Sequence, residues 1–176
     1  MTKIRNIALL AVFAAICAGI GFYVSHRNTL PQSPETKALT SLLSQSLPDV
    51  NGKPQPLSQW QGKPLILNFW ATWCGPCVEE MPELMALQKE IAPVQILGIG
   101  IDSQENIAKF AEKLHIQYPL FVAGTGATDL LRQFGNQAGG LPFTVLVGKD
   151  GNVKKVYLGR LKFDELRSDL ASLKNM

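Results

Sequence analysis

Trp73-Cys74-Gly75-Pro76-Cys77 sits between two kinds of sequence pattern. Before it runs Pro64-Leu65-Ile66-Leu67-Asn68-Phe69-Trp70, an apolar stretch of strand length. After it, Val78, Met81, Leu84, Met85, Gln88 and Ile91 recur at helical spacing. The pattern predicts a strand-to-helix turn with Cys74 at the helix start. Unpaired N–H groups and the positive end of the helix dipole favour an anion there. A thiolate is such an anion, and it is the nucleophile in disulfide exchange. Pro76 suits a first-turn position, where its missing N–H costs nothing. Two residues separate the cysteines, so their sulfurs lie about one helical turn apart, near enough to close a disulfide.

The segment Asn68-Phe69-Trp70-Ala71-Thr72-Trp73-Cys74-Gly75-Pro76-Cys77 resembles the active-site segment of the thioredoxin superfamily. In particular it is similar to the membrane-anchored, extracytoplasmic branch of TlpA-like and ResA-like thiol–disulfide oxidoreductases. The similarity runs from about Ser46 to the C-terminus. It implies an α/β fold: a thioredoxin-like mixed sheet flanked by helices, with an N-terminal β-hairpin and a central helix–strand insert.

Composition narrows the alternatives. The 176 residues have room for one ordinary domain plus extras, and 46% hydrophobic content is enough for a core. The formal charge of +3 arises from Lys3, Arg5 and Arg27; without residues 1–27 the chain holds 14 basic and 14 acidic side chains. No nucleic-acid footprint is expected from that balance. The cysteines are Cys17, Cys74 and Cys77, and Cys17 lies in the apolar N-terminal run, so a structural disulfide framework is excluded.

Ile7 to Val24 is 18 residues without a charge, close to the minimum for a membrane-spanning helix. No Ala-x-Ala cleavage pair follows it, so residues 1–27 read first as an uncleaved membrane anchor, with a cleaved signal peptide as the alternative. Lys3 and Arg5 place the N-terminus in the cytoplasm. The following domain would then face the periplasm, with the chain held as a single-pass protein of the bacterial inner membrane. Residues 28–45 read as a linker, with Pro31, Pro34 and a weakly amphipathic stretch around Leu39, Leu42 and Leu43 that fits a short helix docking its apolar residues on the domain. Residues 46–176 are the thioredoxin-like domain. In it, Asn51-Gly52 marks a hairpin turn, 64–70 a strand, 75–90 the active-site helix with Pro82 inside, and 94–101 a buried strand. Asp102-Ser103 cap a helix over 104–115, followed by a strand at 119–122 and a helix at 129–134. Phe143–Val147 and Val153–Leu158 pair around Asp150-Gly151, and Phe163, Leu166, Leu170 and Leu173 line a last helix.

Cys74, preceding the helix, is expected to be the attacking thiol, and Cys77 the resolving thiol that collapses a mixed disulfide. A passive bridge would gain little from closing so small a loop. A zinc half-site lacks further ligands nearby, since the only histidines are His26 and His115. Thioredoxin-like proteins usually carry an aspartate where this chain has Asn68, which cannot titrate. The resemblance assigns a related task to Glu80, three residues past Cys77: tuning the thiols and relaying protons. The plainer reading is that Glu79, Glu80 and Glu83 complement the helix N-terminus. Pro142 matches the superfamily's cis-proline, which faces the active disulfide and leaves the Leu141 backbone able to pair with an extended substrate segment. Trp73 would form an apolar lip beside Cys74.

Gly75-Pro76 is the dipeptide of thioredoxin, a reducing protein. The resemblance therefore implies a disulfide reductase acting on specific substrate proteins, such as apocytochrome c or metal-delivery and oxidase-assembly proteins. It implies re-reduction by a membrane electron donor of the DsbD or CcdA type. No cofactor is implied, because the disulfide is itself the redox centre. The alternatives are a thiol oxidase or isomerase of secreted proteins and a copper-binding chaperone. A peroxidase of the peroxiredoxin type needs a different cysteine context.

Overall fold

The computed structural model describes residue 13, residues 15–22 and residues 32–174. The chain divides into two units, residues 1–32 and a unit that begins at Ser33. In the first unit, residues 15–22 are helical and Phe13, Ile16 and Ile20 are exposed. Much of the expected anchor, Ile7 to Val24, lies outside the described residues. Among the described residues no helix is long and apolar enough to cross a membrane.

Residues 34–43, inside the expected linker, form helix α1 (Pro34–Leu43). Ser33 caps it, its Oγ accepting from the Thr36 N–H at 3.2 Å, and the proline sits in the first turn where its lost donor is harmless. Leu39 and Leu42 are each 1% exposed, so these apolar residues belong to the core. The leucine spacing was visible in sequence; what holds the helix down is tertiary contact, including the Val153 N–H donating to Thr36 Oγ1 at 3.1 Å.

A short antiparallel hairpin follows, β1 (Ser46–Pro48) with β2 (Pro54–Pro56). Asp49 organises its turn: Oδ1 accepts from the N–H groups of Asn51 and Lys53, and Gly52 adopts φ +77°. A 3-10 turn, Leu57–Trp60, leads into the main sheet. That sheet comprises β3 (Leu65–Trp70), β4 (Gln95–Gly100), β5 (Leu120–Val122), β6 (Phe143–Val147) and β7 (Val153–Leu158). The strand order is β5-β4-β3-β6-β7. β4 runs parallel to β3 and β5, whereas β6 is antiparallel to both β3 and β7. Asp49 also bridges Phe121, which places the hairpin along the outer edge of β5.

Helices cover both faces, as the strand–helix alternation requires. Leu65, Leu67 and Phe69 of β3 pack with α1 and with α4 (Thr128–Gln133). Ile66 and Trp70 point the other way, toward α2 (Gly75–Glu90), α3 (Gln104–Leu114) and α5 (Phe163–Lys174). Period-two alternation puts Asn68 on that second face, beneath α2. The central insert is α3, β5 and α4; Ser103 caps α3 and His115 ends it in the left-handed region. Two X-Pro bonds are cis, the expected Leu141–Pro142 and also Ala92–Pro93, which the sequence did not signal.

Gly98 of β4 shows how tightly the second face is packed. A Cβ there would lie 2.4 Å from Leu120 Cδ2 and 3.2 Å from both Trp70 Nε1 and Tyr118 Cε2. All three neighbours are buried and have little room to retreat. Gly98→Ala is expected to cost about 1–3 kcal/mol of stability, as overpacking does. A thermal midpoint unchanged from the parent would show that the site relaxes.

Candidate active site

The turn between β3 and α2 carries Cys74 and Cys77. β3 ends at Trp70, and the Cys74 N–H donates to Ala71 O at 3.2 Å, which brings the chain round into the helix. Cys74 is the N-cap of α2, and its Sγ accepts from the Cys77 N–H at 3.3 Å. The two sulfurs are joined in a disulfide, with Cα atoms 5.3 Å apart. Cys74 is 6% exposed and Cys77 fully buried, the ranking expected of an outer and an inner thiol. Trp73 is 70% exposed.

In the β3–β6 register Phe69 pairs with Phe143, the residue directly after Pro142. Pro142 therefore lies at the end of the sheet from which the Cys74 turn departs. The Gly159 N–H donates to Pro142 O at 2.9 Å, tying the cis-proline segment to the exit from β7. Leu141 is half-buried and packs against apolar residues of both faces.

Glu80 is fully buried. Its Oε1 accepts from Asn68 Nδ2 at 2.8 Å, and its Oε2 from the Leu161 N–H at 3.0 Å. Asn68 Nδ2 also donates to Thr144 Oγ1 at 3.1 Å. The residue that replaces the usual aspartate is thus a hydrogen-bond partner of the carboxyl. Burial pushes the Glu80 carboxyl above its ordinary range; the Leu161 N–H, the Asn68 amide and the Arg160 charge pull it back in part. The neighbouring acids lie at the surface. Glu79 pairs with Arg160 at 3.0 Å in an exposed bridge, and Glu83 lies 3.9 Å from the same guanidinium.

Sequence reasoning treated Asp102 only as part of a helix cap and missed a second task. Its Oδ1 accepts from the Ser103 N–H at 2.7 Å and from Asn106 Nδ2 at 2.9 Å, while Oδ2 accepts from Thr72 Oγ1. Burial works against the charged form, but these bonds outweigh it and hold the carboxyl below its ordinary range. Asp102 therefore anchors Thr72, two residues before Cys74. The signal was present in sequence as an acid directly after the strand beside β3. Of the expected site residues, Cys74 and Cys77 form the disulfide, Glu80 is buried further along the same helix with Asn68 and Leu161 as its donors, and Pro142 is the cis-proline that precedes β6; His115 lies at the end of α3.

The raised carboxyl of Glu80 has a measurable consequence. Such a group binds more protons folded than unfolded, so its stabilisation is full below the unfolded value near 4.5 and is lost as pH rises through the folded value. Urea midpoints of the oxidised protein should therefore fall with pH in that window, and Glu80→Gln should flatten the slope. An equal slope in both proteins would contradict the assignment.

Comparison with known proteins agrees with this geometry. The Redoxin family model matches residues 31–173. The thiol–disulfide oxidoreductase ResA of Geobacillus thermodenitrificans is 30% identical over 175 residues, covering 97% of this chain and 94% of the relative. A thiol:disulfide interchange protein of the thioredoxin family from Chlorobium tepidum superimposes with a TM-score of 0.61 at 30% identity, covering 73% of this chain and 91% of that one. A thioredoxin-related protein from Neisseria meningitidis serogroup B gives 0.65 at 28% identity, covering 74% and 99%. With a cysteine pair at disulfide distance on a thioredoxin-like sheet, the chain belongs to the Redoxin family, among the ResA-like thiol–disulfide oxidoreductases.

Proposed function

We propose that the protein is a membrane-tethered reductase of specific protein disulfides outside the cytoplasm. The observation that carries the chemistry is the position of Cys74: capping α2, accepting an N–H bond, and bonded to a fully buried Cys77. A thiolate at that cap gains the same N–H bond and the helix dipole, which favours ionisation of Cys74 over Cys77.

In the forward reaction the Cys74 thiolate attacks one sulfur of a substrate disulfide. A Cys74–substrate bond forms, and the other substrate sulfur leaves as a thiolate. The Cys77 thiol gives its proton to Glu80, three residues along the same helix. The Cys77 thiolate then attacks Cys74 Sγ, closing the Cys74–Cys77 bond and releasing the second substrate sulfur. Two electrons pass from the dithiol to the substrate. The pair is left oxidised and is reset by a dithiol donor of the membrane. Trp73 offers an apolar contact for the substrate segment, and the backbone at Leu141 and Pro142 receives it in extended form.

The reading of residues 1–27 as an anchor supports the location, with the domain in the periplasm. There a dithiol centre needs a dedicated electron supply across the membrane, of the DsbD or CcdA type. Substrates of this class include apocytochrome c and the cysteines of metal-delivery or oxidase-assembly proteins. The Gly75-Pro76 dipeptide supports the reducing direction.

The reduction potential of the Cys74/Cys77 pair tests the direction. A value near the roughly −270 mV of thioredoxin is expected; a value near the roughly −120 mV of DsbA would reverse the flow of electrons. Cys77→Ser should accumulate mixed disulfides with substrate proteins, because the resolving step is removed. Glu80→Gln should slow exchange at neutral pH, and an unchanged rate with unchanged thiol titration would remove Glu80 from the mechanism.

A further inference from the structure

We infer that Asn136, just after α4, is the positioning residue that aims the Leu141 backbone at an incoming substrate segment. The inference rests on the reading of the Leu141 and Pro142 backbone as the substrate's receiver. It adds which side chain sets that backbone and why Leu141 is the residue left to pair.

A side-chain amide carries an acceptor and a donor side by side, so it can serve a backbone residue as a neighbouring strand would. Asn136 is 5% exposed and does this for Gly140. Its Nδ2 donates to Gly140 O at 2.7 Å, and its Oδ1 accepts from the Gly140 N–H at 3.3 Å. On the other side of Leu141, Pro142 has no N–H, and its O accepts from the Gly159 N–H at 2.9 Å. Leu141 lies between these two occupied residues. Neither its N–H nor its C=O has a partner among the described residues. It is therefore the one residue of 140–142 that offers an extended chain both a donor and an acceptor.

The bond to Gly140 O does more than satisfy a carbonyl. Gly140 C=O and Leu141 N–H belong to one planar trans peptide and point in opposite directions. Holding the carbonyl on Asn136 Nδ2 therefore turns the Leu141 N–H away from Asn136 and keeps it there. Asn136 is itself anchored. Its N–H donates at 3.0 Å to the O of Leu131, a fully buried residue of α4. The Gly139 N–H donates to Asn136 O at 3.1 Å, closing the turn that returns the chain to the amide. The core thus reaches the Leu141 peptide through α4 with a hydrogen bond at each step. Without the amide, that peptide plane is free to rotate about its flanking bonds. The substrate sulfur then loses its fixed approach to Cys74, and reacting atoms must meet within about 3–3.5 Å.

The test compares the reduced full chain with Asn136→Ala and Asn136→Asp on three disulfides. The first is an unstructured peptide whose single cysteine is disulfide-bonded to 5-thio-2-nitrobenzoate. The second is the same peptide N-methylated at the residues flanking that cysteine, which cannot pair as a strand. The third is bis(2-hydroxyethyl) disulfide, which has no peptide backbone. The parent should react with the first peptide about tenfold faster than with the second. Asn136→Ala should lose that preference, while its rate with the small disulfide and its reduction potential stay at parent values. Asn136→Asp keeps an acceptor for the Gly140 N–H but not the donor to Gly140 O, so it should lose the preference too. A preference kept in both variants would overturn the role of Asn136 and leave the Leu141 reading in place. An equal loss on all three disulfides would also overturn it, because the damage would then lie at the cysteines. A parent indifferent to N-methylation would remove the Leu141 reading and the inference together. If the variants do not fold, amide exchange in the parent decides. The Gly140 N–H should be protected and the Leu141 N–H not, and Leu141 should gain protection when Cys77→Ser holds the peptide as a mixed disulfide. A Gly140 amide exchanging as freely as that of Leu141 overturns the inference, and a Leu141 amide left unprotected by the peptide removes the reading it rests on.

Discussion

A carboxyl group with no exposure at all is costly unless its oxygens are hydrogen-bonded. Glu80 meets that condition with one bond from β3, through Asn68, and one from the backbone of Leu161 just after β7. Those two bonds join the active-site helix to the centre of the sheet and to the segment leading into the last helix. Each partner is itself tied elsewhere, Asn68 to Thr144 on β6 and nearby Gly159 to Pro142. The buried acid is thus a junction between the helix bearing the cysteines and the cis-proline segment. Losing one bond would leave a buried donor or acceptor unmatched, which costs more than the bond contributes when made.

A second carboxyl holds the other side of the turn. Asp102 follows β4, caps its own helix and binds Thr72. The two acids are shifted in opposite directions by different balances of burial and hydrogen bonding. At Glu80 burial dominates, whereas at Asp102 the hydrogen bonds from Thr72, Asn106 and Ser103 overcome it. One group is suited to carry a proton and the other to remain a fixed anchor. The turn with Cys74 is held between them.

Much of this was legible in the sequence because it is local. The apolar run of β3 and the period of α2 predict a strand-to-helix turn, and the cysteine spacing predicts the disulfide. The strands and helices after it follow from alternation and caps such as Ser103. What was not legible depends on distant partners. Leu39 and Leu42 hint at amphipathicity, but α1 is fixed by Thr36 meeting a strand 117 positions away. Glu80 was singled out by the resemblance to ResA-like proteins, yet the donor that meets its Oε2 lies 81 positions further on. The Ala92–Pro93 bond looks in sequence like any strand-opening proline. Asp102 looked like an ordinary cap because its bond to Thr72 crosses from one strand end to the next.

The hairpin at the start of the domain has one more effect. A sheet of five strands has two rims, and each offers unpaired N–H and C=O groups to any passing chain. Along β5 that rim is met by Asp49 bridging Phe121. At the other rim, β7 carries Lys154 and Lys155 among its exposed and half-buried positions, and charge there discourages a second strand from docking. The small hairpin, remote in sequence from the cysteines, thus works as a hem that keeps the sheet from being extended by its neighbours.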